Sequence, residues 1–141
     1  MTTDTKTSTE KLGLDVSAET RIADYVNIIY NEYEVPIDGI KEIPLNLKGN
    51  EKYFAVFYYG TIHSDIFFKM TDEQKTICLS HLVEELKVSN DTLDYLVTNI
   101  ITTGYETKFS IDDIIKIINN KFTEKEKYYM LFSYGLLFKY K

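Results

Sequence analysis

The chain contains one cysteine, Cys78, in 141 residues, so no disulfide can form within it. Cys78 sits in an apolar helical stretch, where a free thiol behaves as a small core hydrophobe. Tryptophan is absent, and the two prolines, Pro36 and Pro44, fall close together. No apolar run approaches the ~18 residues of a membrane span, so no membrane partner is expected. Basic residues are also scarce. Sixteen lysines and arginines face 22 aspartates and glutamates, for a net charge of -6. Binding to nucleic-acid phosphates needs a basic surface, so no nucleic-acid partner is expected. Met1 to Lys11 holds no apolar run and gives no signal-peptide pattern. The expected location is cytoplasmic, or the virion if the source is a phage. The chain also lacks a phosphate loop, a dinucleotide fingerprint and an EF-hand loop.

What is present describes a folded domain. The hydrophobic fraction is 44% and the charged fraction 27%, both ordinary for globular proteins. A chain of this length buries roughly two thirds of the surface its unfolded form exposes. Twelve tyrosines and eight phenylalanines supply large apolar bodies. Isoleucine, lysine and asparagine are abundant, and their AT-rich codons point to a low-GC bacterium or its phage.

Residues 1–14 are mostly Thr, Ser, Asp and Lys, too polar to offset their ordering entropy, and are expected to be a disordered tail. Residues 15–141 are expected to form one helical domain. A first helix is expected from Ser17, its cap, with Ile22, Val26, Ile29, Tyr30 and Tyr33 on one stripe. Val35 to Asn50 carries both prolines and Asp38-Gly39, and reads as an irregular connection. Tyr53 to Tyr59 fits a buried helix, or the second strand of a short β-hairpin over 43–59; helix is favoured because everything downstream is helical.

From residue 70 the signals agree. Thr71 with Gln74 and Thr123 with Glu126 fit capping boxes, and Ser110 with Asp113 is a weaker version. Ser89 or Asn90 can cap a further helix, and Gly104 suits a helix stop. Apolar stripes follow the caps: Ile77, Cys78, Leu82, Val83 and Leu86; Leu93, Leu96, Val97, Ile100 and Ile101; Ile111, Ile114, Ile115 and Ile118; Tyr128, Leu131, Phe132 and Leu136. Short links between such helices join antiparallel neighbours, so the expected fold is mainly α, a single compact bundle of five to six helices.

Motifs for chemistry are weak. His63-Ser64-Asp65 holds triad residue types, but a working triad draws them from separate places, so no catalytic residue is assigned. Cys78 and His81 are spaced to share a helix face and offer two metal ligands. A closed zinc site wants four, and nothing in the spacing brings in His63 or Asp65, so neither a metal nor another cofactor is expected. The acidic pairs Asp72-Glu73, Asp91 with Asp94, and Asp112-Asp113 all fall in first turns of expected helices, where the helix dipole favours carboxylates.

The charge layout says more. Residues 121–141 carry five lysines and two glutamates, +3, leaving -9 for the other 120 residues. The last helix also holds Tyr128, Tyr129, Phe132, Tyr134, Phe138 and Tyr140, spread over more than one face. Either this helix is central to the bundle, or some aromatics are free for a partner, with Tyr134, Phe138 and Tyr140 as the partner-binding candidates.

From Tyr53 to Tyr140 the chain resembles the TerB-like helical domains associated with tellurite resistance. The resemblance rests on an apolar helix ending near Ser64-Asp65, on Thr71-Asp72-Glu73-Gln74 opening a helix, on Leu86-Lys87-Val88-Ser89, and on Phe122-Thr123-Glu124-Lys125-Glu126 opening the last. It implies an α-helical bundle. The family's acidic turns read Asp-Gly, whereas Asp65 is followed by Ile66, so its metal role is not carried over.

The function these features favour is a non-enzymatic protein–protein interaction or assembly protein, binding another protein or itself. A structural or accessory subunit of a phage or mobile element fits the composition. The alternatives are a TerB-like metal-responsive stress module and an acidic inhibitor that mimics nucleic acid.

Overall fold

The computed structural model describes residues 8–101, 110–118 and 121–137, and no strand occurs among them. A single turn, α1 (Ser8–Lys11), precedes α2 (Val16–Glu32), α3 (Pro36–Asn46), α4 (Gly49–Phe67), α5 (Asp72–Leu86), α6 (Asn90–Tyr95), α7 (Ile111–Ile118) and α8 (Glu124–Leu137). A π-helical turn, Leu96–Ile101, continues α6. Seven helices longer than one turn thus stand against the five to six expected.

The additional helix is α3. Ile37, Ile40 and Ile43 recur at i, i+3 and i+6 and are all buried, and that apolar row outweighs the proline signals. Pro36 occupies the first turn, where no amide hydrogen is needed, and Pro44 falls in the last turn. The residues expected to be irregular are therefore mostly helical. The hairpin alternative over 43–59 is overturned as well: α3 and α4 take up both of its arms. Phe54, Ala55, Val56, Phe57 and Tyr59 are all buried, because this stretch of α4 packs against α2, α3 and α8 rather than pairing along an edge. The cap of α2 is Asp15, not Ser17; its carboxylate accepts the Ala18 amide hydrogen at 2.8 Å. Of the expected tail, residues 1–7 lie outside the described residues, while Leu14 is buried in the core. Gly104 also lies outside them.

The other caps form as their residues suggest. Thr71 and Gln74 make both bonds of a capping box, at 3.1 and 2.9 Å. Ser89 accepts the Thr92 amide hydrogen and opens α6.

At the centre, α4 crosses α8 through glycine. A Cβ on Gly60 would run into the carbonyl oxygen of Phe132 and lie 3.1 Å from the Gly135 Cα. A Cβ on Gly135 would meet the Phe57 carbonyl oxygen in the same way. The two backbones touch, and only a residue without a side chain fits on either helix. Around this point α8 is buried continuously from Tyr128 to Leu136.

Two carboxylates fasten the first turn of α8. Glu126, 7% exposed, accepts hydrogens from the Thr123 amide (3.1 Å), the Ser89 amide (3.1 Å) and the Thr92 hydroxyl (2.7 Å). It is half of the Thr123 capping box and also holds the start of α6. Burial raises its pKa, but these donors outweigh burial and hold it down to about 2. Glu124 binds Lys52 and accepts from the hydroxyls of Tyr53 and Tyr128 at 3.0 and 3.1 Å. The Lys52 ammonium lies 4.9 Å from the Tyr53 ring centre and 5.6 Å from that of Tyr128. Burial, then the neighbouring carboxylate, push Tyr53 up to about 12.

Two outcomes follow from this architecture. Gly60→Ala is expected to lower unfolding free energy by about 2–4 kcal/mol, because backbone cannot move aside as a side chain can; an unchanged urea midpoint would show that the crossing tolerates a methyl. Glu126 carries a depressed folded pKa, so its contribution is fully present above the unfolded value near 4.5 and is lost as pH falls toward about 2. That contribution is roughly 3 kcal/mol, and Glu126→Gln is expected to remove most of it at pH 7 and to make the fall in stability between pH 4.5 and 2 shallower, the lowered Glu124 and Glu85 carboxyls supplying the rest. Urea denaturation across that range reads both effects.

Candidate functional site

The chain turns sharply between α2 and α3. Val35 precedes a proline and is held extended, with φ -95° and ψ 122°. This places Glu34, Val35, Pro36 and Ile37 along one wall of a groove. The other wall is α5, through Gln74, Ile77, Cys78, His81 and Leu82, and Met70 closes one end. The groove has a volume of about 340 Å³. Ile37 and Leu82, at 3% and 1% exposure, form its floor, while Val35 (41%) and Ile77 (63%) stand at its lip.

The apolar character follows from how little of α5 is covered. Among its 15 residues only Leu82 and Leu86 are fully buried. On a helix of 3.6 residues per turn, Ile77 lies about 140° round from Leu82, so the core-facing side cannot hold both. Ile77 therefore faces the groove.

Cys78 and His81 both line this groove, as their spacing suggests. Burial pushes the Cys78 thiol up, so it stays protonated at neutral pH and is a poor nucleophile. The Gln74 side-chain oxygen is already engaged by the Thr71 amide. Among the described residues no group of three or more His, Cys, Asp or Glu side chains could hold a metal ion.

The other residues singled out from sequence are dispersed. His63 is buried, its ring 4.5 Å from Tyr59, 4.8 Å from Tyr30 and 5.8 Å from Phe132 between ring centres. Its neighbours diverge: Ser64 donates its hydroxyl to the Thr61 carbonyl, and Asp65 is exposed. The three triad residue types do not converge. Tyr134 is 3% exposed, its ring stacked on Phe57, so it offers no surface to a partner. The physical reason is the glycine crossing, which draws the whole middle of α8 into the core. Phe138 and Tyr140 lie outside the described residues. Of the acidic pairs, Asp112 is buried and accepts the Ser110 hydroxyl at 2.6 Å, while Asp72, Glu73, Asp91 and Asp94 are exposed in or near helix starts.

No family model matches the chain, and neither curated proteins nor solved structures give a match. The groove therefore stands on its own geometry. Sequence reading missed it because Val35 to Ile37 looked like a loop and Ile77 was counted with the core stripe. The angular offset of Ile77 from Leu82 and Leu86 was the available signal.

His63 carries a pH consequence. Burial alone lowers its pKa to about 4, and its Nε2 has no hydrogen-bond partner among the described residues. Below pH 6.5 the unfolded chain takes up the proton and the folded chain does not, so stability falls as pH drops from about 6.5 to about 4. The loss amounts to roughly 3 kcal/mol. His63→Phe is expected to abolish the pH dependence in that window while keeping the aromatic contacts; thermal melting at pH 7 and pH 4.5 measures it, and an undiminished fall in the variant would assign the acid sensitivity to another group.

Proposed function

We propose that this protein is a non-enzymatic protein–protein interaction or assembly protein that receives its partner in the groove between Glu34–Ile37 and α5. The observation that carries this reading is the lip of the groove: Ile77 and Val35 stand 63% and 41% exposed over an apolar floor. Apolar surface gathered around a concavity is what a partner covers, and each such side chain contributes about 1.5–3 kcal/mol when fully buried. Of the three aromatic candidates of the carboxy-terminal helix, Tyr134 is spent on the core and Phe138 and Tyr140 lie outside the described residues, so the reading rests on this face. A structural or accessory subunit of a phage or mobile element remains the setting that suits the AT-rich residue usage.

The test places a photo-crosslinking residue at position 77 of the tagged chain in its source cells. A second chain carries it at position 45, where Leu45 is 78% exposed outside the groove. A discrete protein adduct is expected at 77, absent at 45 and abolished by Val35→Asp. Equal labelling at both positions, or none at 77, overturns the reading.

A further inference from the structure

We infer that the groove accepts an amphipathic helix whose apolar ridge is flanked by lysine or arginine, an inference that rests on reading the groove as a docking site.

The form of the partner follows from what the walls can offer. Strand addition needs an open sheet edge, and no strand occurs among the described residues. The α5 wall has its backbone hydrogen bonds satisfied within the helix, so recognition there falls to side chains. Proline-rich segments dock between the rings of Tyr, Trp or Phe, and none of these lines the groove among the described residues. Phosphorylated segments call for arginine clusters, and the chain has a single arginine, Arg21, paired with Glu51. What remains is a helix that lays apolar anchors between Val35 and Ile77, onto Ile37 and Leu82. Helix-in-groove recognition uses anchors at i, i+3, i+4 and i+7.

The charge of the partner follows from the surroundings. Glu34 lines the groove, and Glu32, Asp38, Asp72, Glu73 and Glu84 lie within two residues of its lining. All six are exposed, and none makes an ion pair among the described residues. Two ammonium groups, Lys69 and Lys75, lie equally close in sequence, and Lys75 rests over the rings of Phe67 and Phe68. The two segments that build the groove, 32–38 and 69–84, thus carry six carboxylates against two ammonium groups, a net charge of -4 beside an apolar centre. A basic rim on the partner complements it, whereas a second copy of this chain, with net charge -6, meets it with charge of the same sign.

The probe is a pair of fluorescent synthetic helices sharing one leucine ridge, with lysine or glutamate on the polar face. Each is titrated by anisotropy against the full chain at low and high salt. The lysine-faced helix is expected to bind saturably, at least about tenfold tighter than the glutamate-faced one, and to weaken with salt. Ile77→Asp is expected to weaken it at least about tenfold, and Leu45→Asp to leave it unchanged. Both variants add a negative charge at an exposed position, so attraction to the acidic surface alone predicts no loss in either. Equal binding of both helices, or loss of binding in both variants, overturns the inference. A dimer by sedimentation that Ile77→Asp dissociates overturns it too, by making a second copy the occupant. If neither helix binds, the inference fails, and the adduct at position 77 then shows whether the interaction reading survives.

Discussion

The backbone contact between Gly60 and Gly135 is the constraint on which the rest of the structure depends. Packed helices ordinarily stand 8–10 Å apart, spaced by their side chains. Here the α4 and α8 backbones meet directly, and the bulk lies to either side. Phe57, Tyr59, Phe132, Tyr134 and Leu136 fill the space around the crossing and are all buried. Two helices this close leave little solvent face near the crossing, so the middle of each reads as apolar all round. The remaining elements form a shell: α2 and α3 lie on α4, and α5 lies on α8.

A crossing fixed at one point still permits rotation and sliding, and the first turn of α8 removes that freedom. Glu124 reaches toward α4 and binds Lys52 and Tyr53, while Glu126, two residues on, reaches the start of α6. One helix end is thereby tied to two neighbours by carboxylates pointing different ways. The core is less well satisfied. Tyr59 Oη and His63 Nε2 are buried without a hydrogen-bond partner among the described residues. Each carries a desolvation penalty of about 1–3 kcal/mol. Both lie on α4, one of the two helices that cross. Tyr59 projects its hydroxyl toward Gly39, where a Cβ would collide with it.

What was legible in the sequence is what local chemistry determines. The capping residues Thr71, Ser89 and Thr123 act within three residues of themselves, and each opens the helix it marks. The Ile111, Ile114, Ile115 and Ile118 stripe is buried as its spacing requires. The readings that changed depend on distant partners. Whether Tyr53 to Tyr59 is helix or strand turns on what covers it, which periodicity cannot report for an apolar run. The prolines in α3 were outweighed by three isoleucines seated against other helices. Gly60 and Gly135 lie 75 residues apart, and neither signals a close approach alone. For the candidate site, Cys78 and His81 were placed on one face correctly, but the opposite wall comes from residues about 40 positions earlier.

The sparse burial of α5 has a consequence for motion. A helix with only two fully buried side chains is expected to open at a lower free energy than the α4–α8 pair, which protection from hydrogen exchange would read. The molecule combines a deeply buried axle with a lightly anchored flank, and the flank carries the groove that we propose as the docking surface.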